Sequence, residues 1–259
     1  MDSAPYPPNN RGYGSRVGGG TSNDYSASAV KFGGTNEYLL RGADYTGSVD
    51  GNSGTITLWV KFEGGDGSSQ VFFDQDNGST NTLFFNRNAD GTIRLILRAS
   101  DDTTLLFIET DLTVEVADGW TCILASWELD GTPTSEIFIR DVQATLTVTT
   151  EIEGTVDHTV SDHSFGASIN GTNKVNGCVA DVYFNPKEYI NFLVESNRRK
   201  IISALGKPVG LGSDGSKPTG TAPILLLTGD TATWHTNAGS GGGMTENGTL
   251  TDCPDSPSD

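Results

Sequence analysis

The stretch TITLWVKF at residues 55–62 decides how this chain folds. It alternates without a break. Ile56, Leu58, Val60 and Phe62 fall on one side, and Thr55, Thr57, Trp59 and Lys61 on the other. Successive side chains of an extended strand face opposite ways, so this is one long strand with an aliphatic, core-facing side. Its other side carries an aromatic and a lysine, neither plain solvent nor plain core. A sheet with such a second face either packs another layer on it or binds a ligand there.

Strand patterns continue in both directions. Upstream, Val30 and Phe32 alternate, Gly33-Gly34 makes a turn, and Tyr38, Leu39 and Leu40 resume a short strand. Downstream, residues 70–74, 82–87, 92–98 and 104–110 form a meander, with an Asp90-Gly91 hairpin signal. In residues 92–98, Ile93, Leu95 and Leu97 share a face, and Arg94 and Arg98 lie opposite. WTCILASW at 120–127 reads as a largely buried central strand between Asp118-Gly119 and Asp130-Gly131 turns. Residues 135–140, 143–150, 165–169 and 175–184 complete an all-β pattern, in keeping with 33 glycines and many turns.

One helix is expected after the last core strand. Asn185 suits its N-cap, Pro186 its first position and Glu188 a capping box. Tyr189, Ile190, Leu193, Ile201, Ile202 and Leu205 recur on one stripe before Gly206 and Pro208. Arg198, Arg199 and Lys200 read as its solvated, dipole-complementing end. The chain divides into an extended N-terminal arm (1–25), a sandwich (26–206), and a Gly-rich C-terminal attachment segment (207–259) with one short strand at 222–228.

With 16 basic and 33 acidic residues the net charge is -17, which disfavours nucleic acid and anionic lipid as partners. No apolar run approaches membrane-spanning length and the N-terminus lacks a signal-peptide core, so synthesis in a cytoplasm without membrane insertion is expected. Cys122, Cys178 and Cys253 form no CxxC pair. Their odd number argues against a disulfide framework, and Cys122 and Cys178 read as small buried hydrophobes.

The order AVKFGGTNEYL (29–39), GTITLWVKF (54–62), GWTCILASWELDG (119–131), SEIFIRD (135–141) and VNGCVADVYFNPK (175–187) resembles the laminin-G/concanavalin-A-like superfamily. Phe32, Gly34, Tyr38, Trp59, Trp120, Asp130, Gly131, Gly177, Asp181 and Asn185 occupy its characteristic places. The resemblance implies an all-β, concanavalin-A-like two-sheet antiparallel jelly roll. It also implies glycan or protein binding through edge loops or a sheet face, often beside calcium. Residues 219–252 are further similar to the C-terminal segment of laminin-G-like structural proteins of tailed bacteriophages. Pro223, Leu226, Gly229, Trp234, Asn237, Gly239, Ser240, Gly241, Gly242, Gly248 and Leu250 carry that likeness. What it implies is a virion fibre, spike or decoration subunit, assembled in the host cytoplasm and homo-oligomeric. Its terminal arms would hold other virion proteins, and its sandwich would contact a host-surface glycan. The alternatives are a purely structural decoration module and, further off, a secreted glycan-binding or glycan-cleaving protein.

The turn bearing Asp74, Asp76 and Asn77 is the candidate calcium site, and Trp59, Tyr45 and Tyr183 are the candidate glycan contacts. A solvent-facing ring among those three favours glycan binding, whereas burial of all four tryptophans favours the structural module. Catalysis has no support in the pattern. Retaining hydrolases of this fold align two carboxylates, often as E-x-D-x-E on one strand, and here Glu109 and Asp111 have no third partner. His158, His163 and His235 stand in no metal-binding spacing. Neither a G-x-S-x-G elbow nor a phosphate-binding G-x-x-x-x-G-K-[ST] loop occurs.

Overall fold

Alternating segments joined by glycine turns form two antiparallel eight-stranded sheets in the computed structural model, which describes residues 25–259. In chain order the strands are β1 (Val30–Gly33), β2 (Tyr38–Arg41), β3 (Ser53–Phe62), β4 (Gln70–Asp76), β5 (Asn81–Arg87), β6 (Thr92–Arg98), β7 (Thr104–Thr113) and β8 (Thr121–Glu128). There follow β9 (Thr134–Ile139), β10 (Val142–Gln143), β11 (Leu146–Glu151), β12 (Asp162–Phe165), β13 (Asn176–Asn185), β14 (Leu225–Leu227), β15 (Thr245–Asn247) and β16 (Thr251–Asp252). The first sheet runs β10-β9-β8-β3-β13-β1-β16, with β14 added to β13, and the second runs β11-β7-β6-β5-β4-β12-β2-β15.

The aliphatic side of β3 faces the second sheet, as its alternation requires. Ile56, Leu58, Val60 and Phe62 share one buried cluster with Phe72, Phe73, Leu83, Phe85, Leu95 and Ile108. Each such side chain contributes about 1.5–3 kcal/mol by leaving water. Trp127 on β8 lies over Gly54, where a Cβ would come within 2.2 Å of the indole, so only glycine fits there.

β13 serves two partners on one flank, β1 through Val179 and β14 through Val182. The change occurs at a bulge where Asp181 adopts a left-handed φ of 46° and the register with β3 shifts. Its buried carboxylate accepts hydrogen bonds from Tyr25 Oη and Thr228 Oγ1, both 2.7 Å.

The outer face of the first sheet is covered. Trp59, Cys122, Leu124, Phe138, Ala180 and Tyr183 pack there against Ile190, Phe192, Ile201, Ile202 and Leu211. The expected long helix does not form: only one turn, α1 (Glu195–Arg198), is helical. The sheet competes for the backbone that a helix would use. Thr55 Oγ1 donates to the Glu188 carbonyl (2.8 Å) and accepts from the Ile190 N–H (3.0 Å). Ser126 Oγ donates to the Ile190 carbonyl (2.9 Å), and Glu136 accepts from the Phe192 N–H. Asn185 stays in β13, and Leu205 is 88% exposed rather than on a buried stripe. Arg198 and Arg199 are not a solvated helix end, since both grip Asp141 at 2.7 Å.

Residues 207–259, expected to be an attachment segment with one strand, instead supply β14, β15 and β16 to both sheets. Ile224, Leu225, Leu227, Trp234, Met244 and Leu250 lie in the principal core. Apolar residues thinly spaced among glycines were enough, because each joins the core shared by both sheets rather than building one of its own. Cys178 is not merely a small hydrophobe, since it forms a disulfide with Cys253 across 75 residues of sequence. Cys122 remains a free, buried thiol. The N-terminal arm, apart from Tyr25, lies outside the described residues.

Candidate functional site

Inward and outward side chains alternate along β5, β6 and the middle of β7. On β5, Leu83 and Phe85 are core residues, so Phe84 faces out. On β6, Ile93, Leu95 and Leu97 point in, leaving Arg94, Ile96 and Arg98 outward. On β7, Phe107 and Glu109 flank the inward Ile108. Phe84 pairs with Ile96, and Ile96 with Phe107, in direct cross-strand register. Strands lie about 4.8 Å apart, so these three form an apolar strip roughly 10 Å long across the strands. Both phenylalanines are half-buried, and Ile96 between them is 9% exposed.

Polar groups border the strip on both sides. On one, Arg94 ion-pairs with Glu109 at 2.8 Å and stacks over Phe107, its guanidinium 5.6 Å from the ring centre. Asn88 also donates to Glu109 (2.8 Å), and Asn86 donates to Asn88 and Ser69, both 3.0 Å. Ser69, Asn88, Ala89, Asp90, Arg94 and Glu109 line an open depression of about 530 Å³ here. On the other side, Arg98 donates to the Asn81 carbonyl (2.5 Å), and the Asn81 amide donates to Asp74 (2.6 Å). An apolar floor with a few fixed polar groups orients a ligand through its polar substituents while burying its apolar face.

The expected contact residues lie elsewhere. Trp59 is 3% exposed, beneath the segment covering the first sheet. Tyr183 is fully buried in the same layer, and desolvation raises its phenol pKa. Tyr45 is 2% exposed, stacked on His163 with ring centres 4.3 Å apart. Trp127 and Trp234 are buried in the core, and Trp120 is half-covered beside Lys61. None of the three proposed rings therefore faces solvent.

Asp74 belongs to β4 rather than to a turn. Its carboxylate accepts from Asn81 and from the Ile169 N–H (3.0 Å), and burial pushes its pKa up to about 6. Asp76 accepts from the Gly78 N–H (2.6 Å), and Asn77 Oδ1 from the N–H groups of Ser79 (2.9 Å) and Thr80 (3.0 Å). These oxygens serve their own hairpin. Among the described residues, the three metal-capable groups that come within 4.8 Å are Glu63, Cys178 and Cys253, whose sulfurs are already bonded to each other.

The contact strip had a faint sequence signal. Adjacent Phe84 and Phe85 in an alternating strand must face opposite ways, which puts one ring outside. Which strands would align Phe84 with Ile96 and Phe107 depended on register, which only the folded sheet provides.

A family model described as the concanavalin A-like lectin/glucanases superfamily matches residues 32–188. Among solved structures, one from Bacteroides ovatus whose description proposes carbohydrate binding superposes with a TM-score of 0.63 at 10% identity. It covers 89% of this chain and 61% of its own. A heptameric SAP-like pentraxin from Limulus polyphemus gives a TM-score of 0.54 at 13% identity, covering 87% of this chain and 94% of its own. No curated protein sequence matches the chain.

Proposed function

Because the chain belongs to the concanavalin A-like lectin/glucanase superfamily, we propose that it is a non-enzymatic carbohydrate-binding protein that uses the outer face of its second sheet. The observation that carries this reading is the strip of Phe84, Ile96 and Phe107, whose two phenylalanines stay part-exposed while the corresponding face of the first sheet is covered. Aromatic faces suit the apolar side of a sugar ring, and the flanking Asn, Arg and Glu groups suit its hydroxyls.

Within this reading, the chain serves as a virion fibre, spike or decoration subunit that contacts a host-surface glycan and assembles with other virion proteins as a homo-oligomer. The support is the sequence likeness of residues 219–252. Assembly in a host cytoplasm leaves Cys178 and Cys253 reduced until release into oxidising surroundings. A purely structural module is the second reading, favoured by the burial of Trp59, Trp127 and Trp234.

The test is a glycan array probed with the whole protein and with Phe84→Ala and Phe107→Ala. Saturable binding that falls about tenfold or more in either variant is expected, and so is insensitivity to a chelator, because Asp74, Asp76 and Asn77 already hold protein donors. Silence across the array, or binding untouched by both substitutions, supports the structural module instead.

A further inference from the structure

We propose that the ligand of this face is an anionic oligosaccharide whose carboxylate or sulfate group is received by Arg98, an inference that rests on the glycan-binding reading above. Arg87, Arg94, Arg140, Arg198 and Arg199 each lie against at least one carboxylate. Arg41 gives Nε, Nη1 and Nη2 to the carbonyls of Asp44 and Gly243 and stacks over Tyr45.

Arg98 differs from all of these. Among the described residues its one side-chain hydrogen bond runs from Nη1 to the Asn81 carbonyl, and no carboxylate lies within 4.0 Å of its guanidinium. In a chain with 33 acidic residues against 16 basic ones, a half-exposed arginine with neither a carboxylate nor the full set of carbonyls that Arg41 has is a site left open. The acids around it have other partners: Asp74 binds Asn81 and Ile169, Asp76 binds Gly78, and Asp157, whose N–H donates to the Arg98 carbonyl, takes the Thr159 hydroxyl on its carboxylate.

Arg98 stands two residues beyond Ile96 on the same face of β6, beside the apolar strip. Arg94 stands two residues before Ile96, about 13 Å from Arg98 along the strand, and is neutralised by Glu109. The strip thus has one compensated and one uncompensated guanidinium at its two borders. The Asn81 carbonyl holds one edge of the Arg98 head, leaving Nε and Nη2 without a partner among the described residues. A guanidinium so held matches two oxygens of a carboxylate or sulfate in a planar fork. The net charge of -17 opposes the approach of an anion from a distance. Selectivity therefore arises at contact, from a desolvated ion pair on an aromatic platform.

The experiment uses an array of neutral, carboxylated and sulfated glycans, followed by titration of the strongest acidic glycan and its carboxyl-reduced or desulfated counterpart. The proteins are wild type, Arg98→Gln and Arg98→Lys, each checked for an unchanged thermal midpoint. Binding of acidic glycans is expected, weakened about tenfold or more in Arg98→Gln and less in Arg98→Lys. The neutralised glycan should bind wild type about as weakly as it binds Arg98→Gln. A carboxylated or a sulfated hit identifies which anion is received. Binding confined to neutral glycans, or acidic binding unchanged in Arg98→Gln, overturns the role of Arg98 while leaving carbohydrate binding intact. Should Arg98→Gln fail to fold, equal affinity of wild type for the acidic glycan and its neutralised form overturns it by itself. Silence across the whole array overturns both readings.

Discussion

His158, Gln75 and His163 form a buried chain in which each proton has one place. The Gln75 amide donates to His163 Nδ1 (3.0 Å), so His163 carries its proton on Nε2 and donates it to the Val160 carbonyl (2.8 Å). Gln75 Oε1 accepts from His158 Nδ1 (2.9 Å). Desolvation lowers the pKa of His158 to about 3 and that of His163 to about 4. From pH 6.5 downward the unfolded chain protonates these imidazoles while the folded chain does not, so stability falls as pH falls, by about 1.4 kcal/mol per pH unit for each histidine. Asp74 works oppositely: its raised pKa favours the folded state at low pH, a contribution lost as pH rises through about 6. Urea unfolding of variants separates the two. Between pH 7 and 4.5, His163→Gln should gain roughly 2–3 kcal/mol relative to wild type, while Asp74→Asn should lose roughly 2 kcal/mol relative to it. An unchanged gap for either variant means that its group is not perturbed by burial.

The segment between β13 and β14 shows how a sheet overrides local propensity. Its sequence has an N-cap, a capping-box spacing and an apolar stripe, yet Thr55, Ser126 and Glu136 hold residues 188–192 out of a helix. Thr55→Val keeps the shape of the strand but leaves the Glu188 carbonyl and the Ile190 N–H without Oγ1. It should cost about 2 kcal/mol in denaturant unfolding and speed hydrogen exchange at Ile190. Full stability in this variant would mean that apolar packing alone holds the layer. At the far corner, Cys253 ties β16 to Cys178 on β13, closing a 75-residue separation. Reduction should lower stability by about 4.5 kcal/mol at most by loop entropy, seen as a lower thermal midpoint with reductant and in Cys253→Ser. A midpoint insensitive to both would show that β16 is held by its pairing with β1 alone.

The molecule as a whole is one sandwich closed by its own C-terminal segment. Removing residues 207–259 takes Trp234, Ile224 and Leu227 from the principal core and two strands from the flank around β13 and β1. The truncated chain should therefore be unfolded or aggregated by circular dichroism, not an independent 26–206 domain. Removing residues 1–24 should leave a folded sandwich with weakened self-assembly. Assembly as strong as that of the full chain, or loss of fold, would contradict a role for that segment in association.

Much of this architecture is written in local pattern. Unbroken alternation in β3, paired glycine turns and the apolar run of β8 depend on neighbouring residues, so they determine strands, the inward face and the all-β sandwich. Local pattern also shows that Phe84 and Phe85 must part, and that Arg94 and Arg98 oppose the core. It does not reach contacts between residues far apart in the chain. That residues 186–211 cover Trp59, that Cys178 meets Cys253, and that Phe84, Ile96 and Phe107 align were decided by tertiary structure. Each depends on strand order and register, which the packing of both sheets sets together. The strand at residues 55–62 offered a second face equally suited to a ligand or to another layer. The fold filled it with a layer, and the part-exposed rings of Phe84 and Phe107 lie on the opposite sheet instead.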